Sequence, residues 1–167
     1  MTNLVREAKD ENRVVAGWLI HYHKRKEYYD QCREEVLYST PQPPEVVTCP
    51  INQNSDTTGK KALALATFDE NTGKWLALVE DIEEILPWKM QIVLKLRRET
   101  MHRPYKSRDR GRPAWIPYVQ VRYAEEVAKR TGKAPEDVWI ERPRTFIEWW
   151  NRIVEYAARL AAKKGLL

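Results

Sequence analysis

Apolar positions recur along most of this chain at three- and four-residue steps, the spacing that gathers side chains on one face of an α-helix. Val15, Trp18, Tyr22, Tyr29, Cys32 and Val36 keep that rhythm with only Arg25 breaking it, which predicts one long amphipathic helix over residues 3–38. The rhythm stops at residues 39–58, which hold four prolines, and the stretch near 40–55 reads as an extended linker. Helix is expected to resume after Ser55, Asp56, Thr57 and Thr58, whose hydroxyls and carboxylate suit an N-cap. Leu65, Trp75, Leu76, Val79, Ile82 and Leu86 are its apolar stripe, with a bend or interruption at Asn71-Thr72-Gly73.

Pro87 fits the first turn of a further helix that buries Ile92, Val93 and Leu96 and turns Lys89, Lys95, Arg97 and Arg98 to water. Met101–Pro113 (MHRPYKSRDRGRP) reads as a loop. Tyr118, Val121, Ala124, Val127 and Ala128 outline a helix over 117–131 closed by Gly132, and Pro135–Val138 suits a single short turn. The last helix runs from about 143 to 164, with Phe146, Trp150, Ile153, Ala157 and Leu160 as its core stripe. The fold class expected is all-α: long N-terminal helices plus a C-terminal helix-turn-helix unit. The first helix is expected to pack on the helix near 60–86, with the helices from 87 onward forming a separate or loosely joined unit.

The chain has 167 residues, 43% of them hydrophobic, enough for one core and too few for a multidomain enzyme. No apolar run approaches the ~20 residues of a membrane span, so no membrane partner is expected. The N-terminus lacks the pattern of a secretory signal, and Cys32 and Cys49 are too few for a disulfide framework or a four-ligand zinc site, so a cytoplasmic location is expected.

Charge changes the picture. Residues 1–86 hold 10 basic and 15 acidic side chains, whereas residues 87–167 hold 19 basic and 9 acidic. The first region, 1–86, is therefore an acidic helical region suited to self-association or partner contact. The second, 87–167, carries an excess that attracts polyanions, of which nucleic acid, RNA or DNA, is the commonest; the outward face of the last helix then makes double-stranded DNA the partner expected. Arg103, Lys106, Arg108, Arg110 and Arg112 in the loop form a candidate phosphate-binding arm. On the last helix, subtracting the core stripe leaves Thr145, Glu148, Trp149, Arg152, Arg159 and Lys163 facing outward, with Asn151 nearby and Arg142 and Arg144 at the helix start. Such a face can read base edges, and Glu148 can accept from a cytosine amine. The helix over 117–131 would then be the first of a helix-turn-helix pair, although the connection from Gly132 to Arg142 is far longer than the simple motif's turn.

Other clusters point to no chemistry. His21 and His23 are two apart, which on a continuous helix aims them in nearly opposite directions, away from a shared metal. His102 has no nucleophile or carboxylate pattern to bring near it. Glu80, Asp81, Glu83 and Glu84 lie on one helix rather than converging from several, as a metal-dependent nuclease would require. Thr57-Thr58-Gly59-Lys60-Lys61 lacks the first glycine of a phosphate loop. The chain is therefore expected to have no catalytic residue, no metal and no cofactor, and not to be an enzyme.

Four stretches in order resemble the RinA/ArpU group of phage and prophage transcriptional regulators, whose C-terminal part is similar to the helix-turn-helix of sigma factors. They are the early helix around Tyr22 ending in Arg33–Thr40 (REEVLYST), then Thr57–Ala66 (TTGKKALALA), Val79–Pro87 (VEDIEEILP) and Arg144–Val154 (RTFIEWWNRIV). The group's Thr-Phe pair, following Trp and later basic residue fall on Thr145, Phe146, Trp149 and Arg152. The resemblance implies activation or control of phage late or packaging genes in a bacterial cytoplasm; for such a regulator the acidic N-terminal half is expected to contact RNA polymerase or further copies of the chain. The alternative is a small terminase subunit, a DNA-packaging protein that would use a similar helix-turn-helix while oligomerising on phage DNA.

Overall fold

The computed structural model describes residues 3–38, 57–102 and 113–167. Among these it is all-α, with no strand. The elements are α1 (Asn3–Ile20), α2 (Tyr22–Tyr38), α3 (Thr57–Phe68), α4 (Lys74–Ile85), α5 (Trp88–Glu99), α6 (Ile116–Thr131) and α7 (Arg144–Lys163). The linker near 40–55, the proposed cap at Ser55 and Asp56, and Cys49 lie outside the described residues, as do residues 103–112 of the basic loop.

The single helix expected over 3–38 is two. Helical bonds frame a break at His21, from His21 N–H to Gly17 O (3.1 Å) and from Arg25 N–H to His21 O (3.0 Å). At the break the Leu19 carbonyl accepts instead from Arg98 Nε at 2.7 Å. A side chain inserted into the ladder is a recognised cause of a helix kink. Arg25, the exception in the apolar rhythm, stays on that face by laying its guanidinium 3.8 Å from the centroid of Trp18, whose ring stacks on Trp75 at 5.2 Å.

The expected interruption at Asn71-Thr72-Gly73 is a widened, π-type turn over Asp69–Gly73 that joins α3 to α4 without leaving helical backbone angles. Tyr29 on α2 donates its hydroxyl to Asp69 there and stacks on Phe68. Gly73 makes room for this approach, since a Cβ at that position would lie 3.0 Å from the Tyr29 hydroxyl.

Two apolar clusters hold the chain together. The larger joins Val15 and Leu19 of α1, Tyr22 of α2, Trp75, Leu78, Val79 and Ile82 of α4, Leu94 of α5, and Ile153, Val154, Ala157 and Ala161 of α7. The smaller joins Val93 and Leu96 of α5, Val119, Tyr123 and Val127 of α6, and Phe146 of α7. The first helix, here α1 and α2, does pack on the helix near 60–86, but α1 also packs extensively on α7, and α7 belongs to both clusters, so the division at 86/87 is one of charge, not of packing. The small side chains of Ala157 and Ala161, both fully buried, suit that close helix–helix approach.

On α5, Val93 and Leu96 are buried and Ile92 is half-buried. The expectation that Arg97 and Arg98 face water is corrected. Arg98 is 9% exposed and ion-paired with Glu83, and Arg97 is half-buried with its guanidinium 5.0 Å from the Trp115 centroid and 5.6 Å from that of Trp150. Burial lowers the Arg97 pKa from its ordinary value. Val121 of α6 is likewise exposed rather than buried; Val119 and Tyr123 fill that face.

Candidate nucleic-acid interface

α7 is the element on which the candidate contacts converge, and it is packed into both apolar clusters. Phe146 and Ile153 are fully buried, Trp150 and Leu160 are half-buried against the larger cluster, and the predicted stripe is the core contact. At its C-terminal end Gly165 takes the left-handed conformation (φ +69°), Leu166 N–H reaches Ala161 O at 2.9 Å, and Lys164 pairs with Asp81 of α4.

α6 meets the other side of α7. It carries Pro117 in its first turn and ends at Gly132 (φ +70°), whose N–H bonds Ala128 O at 2.8 Å. Tyr123 of α6 lies edge-on to Phe146 (5.4 Å) and Trp149 (5.7 Å) of α7. Desolvation in this cluster pushes the Tyr123 hydroxyl up to about 12. The connector between the helices folds Pro135–Val138 into a short 3-10 turn and is tied back by Gln120 Nε2, which donates to Ile140 O at 2.7 Å.

The outward face of α7 is therefore narrower than the sequence implies. Trp149 does not point out: it is half-buried and packs on Tyr123 and Phe146 because α7 is clasped from two sides. Thr145 is also half-buried. Glu148 sits 3.3 Å from Arg144 Nε, so this pair partly neutralises itself. Two N–H groups at the helix start are spent locally, Thr145 on Arg142 O (3.1 Å) and Phe146 on Pro143 O (3.2 Å), which weakens the helix terminus as a phosphate site.

Arg142, Asn151, Arg152, Arg159 and Lys163 remain exposed. Among the described residues these four cations make no ion pair. Exposed Glu155 shares their face, which the seven-residue step from Glu148 could have signalled. Of the loop candidates, Arg103, Lys106, Arg108, Arg110 and Arg112 all lie outside the described residues.

A second basic region escapes the sequence pattern. His21 and His23 line one hollow, of about 480 Å³, together with Lys24, Lys95 and Arg98. The break at His21 removes the helical geometry that would have sent the imidazoles apart. No family model, curated protein or solved structure matches the chain.

Proposed function

We propose that the protein is a sequence-specific DNA-binding transcriptional regulator in which α6 and α7 act as a helix-turn-helix pair and α7 enters the major groove. The observation that carries this reading is the set of exposed cations Arg142, Arg152, Arg159 and Lys163, unpaired among the described residues, beside or on a helix whose other faces are locked into two cores. A backbone packed on two sides fixes where these side chains start from, which favours defined contacts over loose attraction. In this reading Arg152 and Asn151 read base edges, Arg142, Arg159 and Lys163 hold phosphates, and the basic segment 103–112 adds sequence-independent affinity. The resemblance to RinA/ArpU regulators supports phage or prophage genes as the target, and the acidic excess of residues 1–86 suits contact with RNA polymerase.

A second reading, a small terminase subunit, is favoured by α3. Ala62, Leu63 and Ala66 of that helix are exposed within an arc of about 100°, Leu63 by 70%, an apolar strip suited to assembly of several copies. Selection of bound fragments from sheared phage and host genomes, combined with light scattering, tests both. A shared sequence recovered by a monomer or dimer supports the regulator, a ring-sized particle supports the terminase subunit, and absence of any retained DNA overturns both.

A further inference from the structure

The candidate interface on α7 carries one residue to which the DNA-binding reading gives no task. Glu148, Asn151, Arg152 and Glu155 stand at i, i+3, i+4 and i+7, which gathers them within an arc of about 100° along roughly two turns. The buried Phe146, Ile153 and Ala157 lie on the opposite side of the helix, so this arc faces away from both cores. The same spacing of four contact residues serves helices that lie lengthwise in a major groove. Glu155 is exposed and close to the middle of the arc.

On a helix surface a carboxylate is ordinarily explained by an ion pair with a neighbour. Glu155 has two cations within one turn, Arg152 three residues before it and Arg159 four residues after it. It pairs with neither, and its side chain makes no ion pair or hydrogen bond among the described residues. Glu148 differs, because Arg144 Nε holds it at 3.3 Å. In a groove flanked by phosphates, an uncommitted carboxylate weakens binding to every sequence except one that offers it a donor.

We propose that Glu155 is a specificity-determining residue whose carboxylate accepts from the exocyclic amine of a cytosine in the major groove. Guanine and thymine present acceptors there and repel a carboxylate; adenine offers its amine beside the N7 acceptor, whereas cytosine offers the amine without one. Asn151, one turn earlier, suits adenine, and Arg152 suits guanine, so the arc reads a short site of mixed bases. This role rests on the function proposed above and adds to it a penalty for wrong sequences, which cations cannot supply.

The test is selection of bound duplexes from a randomised library by the wild-type chain and by Glu155→Gln, followed by titration of the selected and a scrambled duplex. Glu155 is exposed on the side of α7 away from the cores, so the variant is expected to fold, and thermal unfolding of both proteins checks it. Expected is a wild-type motif with cytosine at one position where the variant's motif moves to adenine, the base whose edge suits glutamine. With the repulsion gone, the variant is also expected to bind the scrambled duplex more tightly, so its preference for the wild-type motif falls roughly tenfold or more. A wild-type motif that the variant reproduces base for base, with the same preference over scrambled DNA, would overturn this role alone. A wild-type chain that enriches no motif would overturn the function proposed above and this role with it.

Discussion

Arg97 and Arg98 on α5 and Arg152 and Arg159 on α7 are the same residue type on two helices that pack on each other, yet they meet opposite surroundings. The α5 pair is drawn inward, Arg97 between Trp115 and Trp150 and Arg98 onto Leu19 O and Glu83. The α7 pair stands in water with no ion pair among the described residues. A tally of positive charge over 87–167 therefore overstates what a polyanion can meet, because part of it is consumed in holding α1, α5 and α7 together.

The largest expected effect follows from Arg98. Arg98→Ala removes one partner of a buried pair and frees the Leu19 carbonyl, which is expected to cost about 3 kcal/mol of stability. That is the low end for such pairs, because Glu83 is 37% exposed and its orphaned charge is screened. Urea unfolding measures it, and a loss below about 1 kcal/mol would show that the helix break does not depend on this side chain. Arg97→Ala comes next, at about 2 kcal/mol, the value of a desolvated cation–π contact. Arg152→Ala sharpens the contrast: its stability is expected to stay within about 0.5 kcal/mol of wild type.

A smaller effect comes from the shared aromatic cluster. Tyr123 has its pKa raised by burial to about 12, whereas the unfolded chain ionises tyrosine near the ordinary value of 10.0. The folded state then holds its proton while the unfolded state loses it, so this stabilising difference is complete below pH 10 and disappears as pH rises toward about 12. Unfolding of Tyr123→Phe against wild type across that window checks the sign, with the variant expected to lose less stability.

These contrasts also explain what the sequence could convey. The bounds of α6, its closure at Gly132 and the buried stripe of α7 were legible because each depends on spacing or on a positive φ within the same element. The break at His21 was not, since Arg98, whose side chain takes the Leu19 carbonyl there, lies 79 residues beyond Leu19 in the chain. Trp149 was misplaced for a related reason: a helix clasped from two sides buries a broader face than the narrow stripe assumed, and nothing local to α7 reveals α6. Within the candidate interface, Arg142, Arg152 and Arg159 kept the exposure expected of them, while Glu148 was found paired with Arg144. The buried arginines escaped because hydrophobic periodicity treats every arginine as a surface residue.

In the proposed function the exposed cations of α7 meet DNA. The most direct test of that contact is the salt dependence of duplex binding by wild type and by Arg159→Ala/Lys163→Ala, with unfolding of both proteins checked alongside. Expected are an unchanged unfolding midpoint and a log–log salt slope shallower by roughly 0.9 for each phosphate the variant no longer neutralises. An unchanged slope in a folded variant would contradict it.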